Sequence, residues 1–375
     1  MHREINVSGN EADVVQVSTA RRLWEVAVRN QAIVVPVMAL SIAFAVGAIL
    51  ISFQGVNPLY AYESLFRSAL FSTAGLERTF EKATPLILTG LAVAVAFRVG
   101  LFNIGAQGQL LTGALASAWA GFTFTSLPGF LLVPVAIVFG ALGGAMWGSI
   151  AGLLKAYRGV HEVISTIMLN TIALGIIEYL ISYPLQEPGQ VLSRTPAIAD
   201  QAKLPVFGFI PSGFFLALAS ASVIAWLLTR TTLGFKFTTV GKNKFAAAYA
   251  GIKLKNTIVL SMVFSGALAG IGGAIETLGV IHRYESGFND GIGFDGITIA
   301  LLARGNPWGT IPAALLVAVL RSGAATLQFD TGIEPEVVDL LLAITLLLVS
   351  LPLLGKAIFK DRAIKNDNVT SGWGS

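Results

Sequence analysis

Apolar runs long enough to cross a bilayer recur along the chain, separated by short polar breaks, and their spacing predicts the elements. The runs are Ile33–Phe53, Ala83–Phe97, Leu101–Ala120, Leu131–Leu154, Val163–Ser182, Phe214–Leu228, Thr257–Val280, Ile311–Leu327 and Val337–Leu354, with a shorter one at Phe294–Ala303. Together they predict an all-α, polytopic membrane bundle of about ten transmembrane helices. Phe294–Ala303 is too short to span alone, so broken or short elements are expected near residues 281–310. Loose backbone of that kind is tolerated at membrane depth only where protein or a water-filled cavity satisfies it. Leu59–Leu70 predicts a surface helix within a long external segment, Gln54–Lys82. Tyr183–Ile210 carries Pro184, Pro188, Pro196 and Pro205, which argues against one helix and for an irregular cap.

The longest basic interruption is Thr229–Asn256, which holds Arg230, Lys236, Lys242, Lys244, Lys253 and Lys255 and no acid. Basic residues gather on the cytoplasmic side of membrane proteins. Arg98, Lys155, Arg158 and the closing cluster Lys356, Lys360, Arg362 and Lys365 fall on the same side as that loop. Arg21, Arg22 and Arg29 join them only if the number of crossings is even, which predicts both termini in the cytoplasm. The division is then a cytoplasmic N-terminal tail at 1–30, a transmembrane domain at 31–356 with its cytoplasmic loop at 229–256, and a cytoplasmic C-terminal tail at 357–375.

Composition narrows the class. Apolar residues make up 54% of the chain and charged residues 12%, which excludes an ordinary soluble domain. The formal net charge of +4 is spread over loops and ends, so topology accounts for it and nucleic acid is not an expected partner. With no cysteine there is no disulfide or thiolate chemistry, and the three histidines have no metal-ligand spacing. No Walker loop, G-x-S-x-G elbow or HExxH helix occurs, so nucleotide hydrolysis is not expected on this chain. The glycines around Asp290 and Asp295 lack the lysine and hydroxyl residue of a phosphate loop.

Candidate chemistry is sparse. Glu162, Glu178 and Glu276 lie near apolar spans, where a carboxylate is costly unless it faces protein or water. Glu162 suits a helix start, and no two acids share a span at helical spacing, which disfavours an ion-coupled carrier. Asn103, Gln107 and Gln109 in the run FNIGAQGQ, together with Ser165, Thr166 and Asn170, either join helices or line a polar path, and Phe102 could stack on a base. Phe264–Gly279 repeats small residues four apart, which is a helix-packing face.

The runs Arg78–Trp119, Tyr157–Ala173, Thr231–Ile252 and Gly293–Leu316, in that order, resemble the membrane-spanning permease subunits of bacterial ABC importers. The branch is the one serving branched-chain amino acids, simple sugars and nucleosides, and FNIGAQGQ followed by HEVISTIMLN resembles the nucleoside permeases most. The resemblance implies a type II ABC importer-like fold in the bacterial inner membrane. It also implies a separate ATP-binding subunit carrying ATP and Mg, a second and different permease, and an extracytoplasmic substrate-binding lipoprotein or periplasmic protein. No cofactor is then expected on this chain. The solute implied is a nucleoside, with a simple sugar such as ribose or a branched-chain amino acid as alternatives. By the same likeness Gly241, Asn243, Ala246, Ala247, Gly251 and Ile252 belong to a coupling helix docked on the ATPase. Phe237, Phe245 and Tyr249 supply apolar knobs beside them, and Lys244 stands where many relatives have proline.

Overall fold

The computed structural model describes residues 31–288 and 291–350. The tails expected at 1–30 and 357–375, and the basic cluster from Lys356 onward, lie outside them. Helices occupy the described part of every predicted run, except that residues 101–105 form a non-helical stretch ahead of the fourth helix: α1 Gln31–Phe53, α2 Pro58–Leu70, α3 Thr73–Arg98, α4 Ala106–Thr123, α5 Gly129–Arg158, α6 Glu162–Ser182, α7 Ser212–Arg230, α8 Thr232–Lys242, α9 Lys244–Tyr249, α10 Leu254–Glu276, α11 Ile292–Leu302, α12 Thr310–Thr331 and α13 Glu336–Ser350. Seven of them (α1, α3, α5, α6, α7, α10 with the π-turn after it, and α12) are long and apolar enough to cross a membrane. Helix α4 is 18 residues long and carries buried Gln107, Gln109 and Ser117, which dilute its apolar character. The only strands among the described residues are Val206–Phe207 and Ile210–Pro211, a small antiparallel hairpin within the predicted irregular cap.

The segment Gln54–Lys82, expected to be external, is more helical than its polarity suggests. Asn57 caps α2 through Leu59 N at 2.9 Å, and α2 buries Ala61, Ser64, Leu65 and Ala69 on one side. Ser72 accepts from Gly75 N at 2.9 Å, so α3 begins at Thr73 and not at Ala83. A cap and a buried first-turn face outweigh the charge of the exposed turns.

Helix α3 forms the centre: 78% of its apolar stretch is buried, against 22% for the peripheral α5. Around it α4, α5 and α10 pack through glycine. A methyl group at Gly144 would collide with the Gly266 carbonyl, and one at Gly270 with the Gly140 carbonyl. Backbones therefore meet directly, as small residues allow where burial between helices gives little drive.

The break near residues 281–310 has a definite form. Helix α10 ends in a π-turn, Thr277–Ile281, and His282 adopts a left-handed conformation with φ 60°. The chain then runs without helix to α11, whose 11 residues extend roughly 16 Å, about half the apolar core of a bilayer. Its loose backbone is met by the proline-rich segment. Thr195 N donates to Tyr284 O at 2.8 Å, Ile198 N to His282 O at 3.0 Å and Ser286 N to Ser193 O at 3.1 Å, while Thr195 Oγ1 accepts from Tyr284 N at 3.0 Å. Glu187 holds Arg194 at 2.7 Å and Arg283 at 3.1 Å across the same seam.

Candidate coupling surface and transport path

The basic interruption folds into α8 and α9, joined at Asn243. Thr231 caps α8 by accepting from Gly234 N at 3.2 Å. Asn243 Oδ1 accepts from Ala246 N at 2.9 Å and starts α9. Lys244 is therefore the first helical residue, the position where proline is also well accommodated.

The pair of helices has two faces. Phe237, Val240 and Ala247 are buried, and the Phe237 ring lies 6.4 Å from that of Phe264 on α10. Gly241 lies so close to the end of α3 that a methyl group there would strike the Arg98 carbonyl. Ile252 is half-buried and closes a turn through its amide to Ala247 O at 3.0 Å. The opposite face is open: Phe245 is 89% and Tyr249 98% exposed, with Ala246 and Gly251 beside them. Among the described residues nothing covers these large aromatic groups, which together make an exposed apolar patch.

The polar candidates converge on one cluster among α3, α4, α6 and α10. Asn103 Nδ2 donates to Gln109 Oε1 at 2.8 Å and to Ser265 Oγ at 2.7 Å, and Asn103 Oδ1 accepts from Gly105 N at 2.9 Å. Ser265 in turn donates to Ala92 O at 2.6 Å. Asn103, Gln109 and Ser265 are all fully enclosed. Gln107 Oε1 accepts from Gly293 N at 2.7 Å, so it caps the free amide end of α11. Asn170 bridges α6 to α4, accepting from Gly108 N at 2.9 Å and donating to Ile104 O at 3.0 Å. Ser165 and Thr166 donate to Glu162 O in their own helix at 3.1 and 2.7 Å. Phe102 packs against Phe97, with ring centroids 5.3 Å apart.

Each of these side chains thus already has a partner in the chain, on the packed side of α6. The other side of α6 presents Ile164, Met168, Thr171 and Gly175 to open space. Of the three acids, Glu162 forms an ion pair with Lys155 at 2.7 Å across the α5–α6 corner. Glu178 accepts from Ser286 Oγ at 3.1 Å, and Glu276 is buried.

One cluster escaped sequence reasoning. Arg321, in the middle of α12, grips both carboxylate oxygens of Asp295 on α11 and reaches Asp339 on α13 at 3.0 Å. The available signal was a lone arginine inside an apolar run, which needs an anionic partner. Beyond the spans, burial lowers the pKa of His282, and the Lys203 ammonium lowers it further.

Comparison with known proteins agrees with this architecture. Residues 75–350 match the family described as "Branched-chain amino acid transport system / permease component". The nucleoside ABC transporter permease protein NupB of Lactococcus lactis is 37% identical over 91% of this chain and 97% of its own length. The guanosine ABC transporter permease protein NupP of Bacillus subtilis is 37% identical over 85% of this chain and 93% of its own. The glucose ABC transporter permease protein TsgB13 of Haloferax volcanii is 35% identical over 83% and 85%. Spans, broken helix and family match agree, and the chain belongs to the permease component family of branched-chain amino acid transport systems, as a multi-pass membrane protein.

Proposed function

We propose that this chain is the membrane-spanning permease of an ABC importer that takes up nucleosides, powered by ATP and Mg held on a separate subunit. The observation that carries the solute is the likeness to two permeases named for nucleosides and guanosine, over nearly the whole chain. The glucose permease, 35% identical, supports a sugar as the second reading.

In this reading α8 and α9 face the cytoplasm, because their loop is basic and free of acid. Phe245 and Tyr249 enter a groove of the ATPase, and Asn243, Ala246 and Gly251 give the docked face its shape. Phe237, Gly241, Ala247 and Ile252 seat the element on the permease body. The cluster around Asn103, Gln107, Gln109, Ser165, Thr166 and Asn170 shapes the wall of the path. The open face of α6 meets solute and the second permease. ATP-driven movement of α8 and α9 rocks the bundle between two access states, and an extracytoplasmic binding protein delivers solute to the outward one.

Competition tests the solute. Cells expressing the chain with its partner subunits take up labelled guanosine, and unlabelled adenosine is expected to compete while ribose, glucose and leucine do not. Absence of guanosine uptake, with uptake of labelled glucose or ribose in its place, would move the assignment to the sugar reading.

A further inference from the structure

Arg98 lies between the docking element and the corner at the end of the half-helix α11. It is the last residue of α3, and its carbonyl is the surface on which Gly241 of α8 rests, backbone against backbone. A methyl group at Gly100, whose φ is 75°, would lie 3.6 Å from the Gly241 Cα, so this backbone too runs close to α8. Movement of α8 along the end of α3 therefore has no side chain to absorb it. The guanidinium of Arg98 points the other way, and Nη2 donates to Gly305 O at 3.5 Å in the corner between α11 and α12. Its Nε is enclosed with no partner among the described residues, so the group has donor capacity beyond the bond it makes here.

The corner it reaches is built to hold one shape. Arg304 and Gly305 both have positive φ, and their amides return to Leu301 O and Ala300 O at 2.9 Å. Helix α11 rises from that corner as a short rigid body. At its far end Gln107 caps Gly293, and Arg321 grips Asp295. Displacement of the corner is thus delivered to the polar cluster at the start of α4.

We infer that Arg98 is a positioning residue that passes the movement of the coupling helices to α11, linking ATP-driven docking to the wall of the path. The inference rests on the reading of α8 and α9 as the ATPase contact.

The chain has no cysteine, so spin labels can be placed without background from it. Lys242→Cys and Trp308→Cys, both at exposed positions, report the separation of α8 from the α11–α12 corner. Lys242→Cys with Met146→Cys on α5 reports the movement of α8 itself. Distances are measured in the full complex, its partners freed of reactive cysteine, without nucleotide and in an ATP-trapped state. With Arg98 present, the 242–146 distance is expected to change with ATP while the 242–308 distance stays constant. In R98Q the 242–308 distance should change with ATP, and solute imported per ATP hydrolysed should fall by at least about fivefold, the lower end of ordinary coupling between sites. R98M keeps the aliphatic stem and removes the enclosed donors, so it replaces R98Q if that variant does not assemble, with the same expectation. A 242–308 distance that behaves alike with and without the guanidinium, or an unchanged import ratio, overturns the inference. A 242–146 distance insensitive to ATP in the Arg98 protein would instead remove the docking reading beneath it.

Discussion

Bulk added at Gly241 meets the Arg98 carbonyl before it meets any partner, and Ala247 is fully buried, so both residues lie on the inward face of α8 and α9. Gly241→Trp is therefore expected to lower permease stability by about 1–3 kcal/mol, the usual cost of overpacking. Docking is tested instead at Phe245 and Tyr249, whose truncation leaves the fold untouched. Each change to alanine should weaken capture of the ATPase by about 2 kcal/mol, roughly thirtyfold in affinity. Undiminished pull-down by the double variant would remove the docking role. Asn103 is the hub of the buried amide cluster, so Asn103→Ala should cost about 1–3 kcal/mol by stranding its partners, read as a lowered melting temperature in detergent. These residue types and their region were legible in the sequence. Which way each points was not, since facing depends on helix phase against neighbours that come from distant parts of the chain, such as Ser265 and Gly293.

At the scale of elements, the break in the bundle is supported by pairing between segments almost ninety residues apart, Thr195 with Tyr284. The sequence announced both halves, one by its prolines and the other by its short apolar run, but not that each satisfies the other. His282 sits in that seam with Lys203 and Asp200 nearby. Its pKa is lowered in the folded state, so the seam is fully stable above the ordinary histidine value of about 6.5 and loses stability as pH falls through the lower folded value. Corrected for the intrinsic slowing of amide exchange at lower pH, the protection of the Ile198 amide should fall below about pH 6, and His282→Asn, which tolerates the left-handed backbone and cannot titrate, should abolish that dependence. An equal fall of protection in the variant would exclude His282 as the cause. The glycine contacts between α5 and α10 make a second expectation: Gly144→Leu should separate the helices and prevent a folded bundle, measured as loss of the monodisperse species on gel filtration. The small-residue period at 264–279 foretold the packing face on α10, whereas its partner glycines on α5 became apparent only in three dimensions.

Across the whole molecule, run length and polar breaks were enough to locate the helices, seven of them long and apolar enough to cross a membrane where about ten spans were expected, because about twenty apolar residues have few other uses. The Arg321 cluster was not, since ion pairing among α11, α12 and α13 follows from their packing and not from local pattern. In its proposed role this permease moves nucleosides inward with ATP hydrolysed by a partner. Proteoliposomes holding the complete importer, with ATP and Mg on the side of α8 and α9 and the loaded binding protein on the other, test it most directly. Labelled guanosine should accumulate inside the compartment that holds ATP, and a non-hydrolysable analogue should abolish accumulation. Uptake that persists without ATP, or movement of sugar or leucine with no nucleoside, would contradict it.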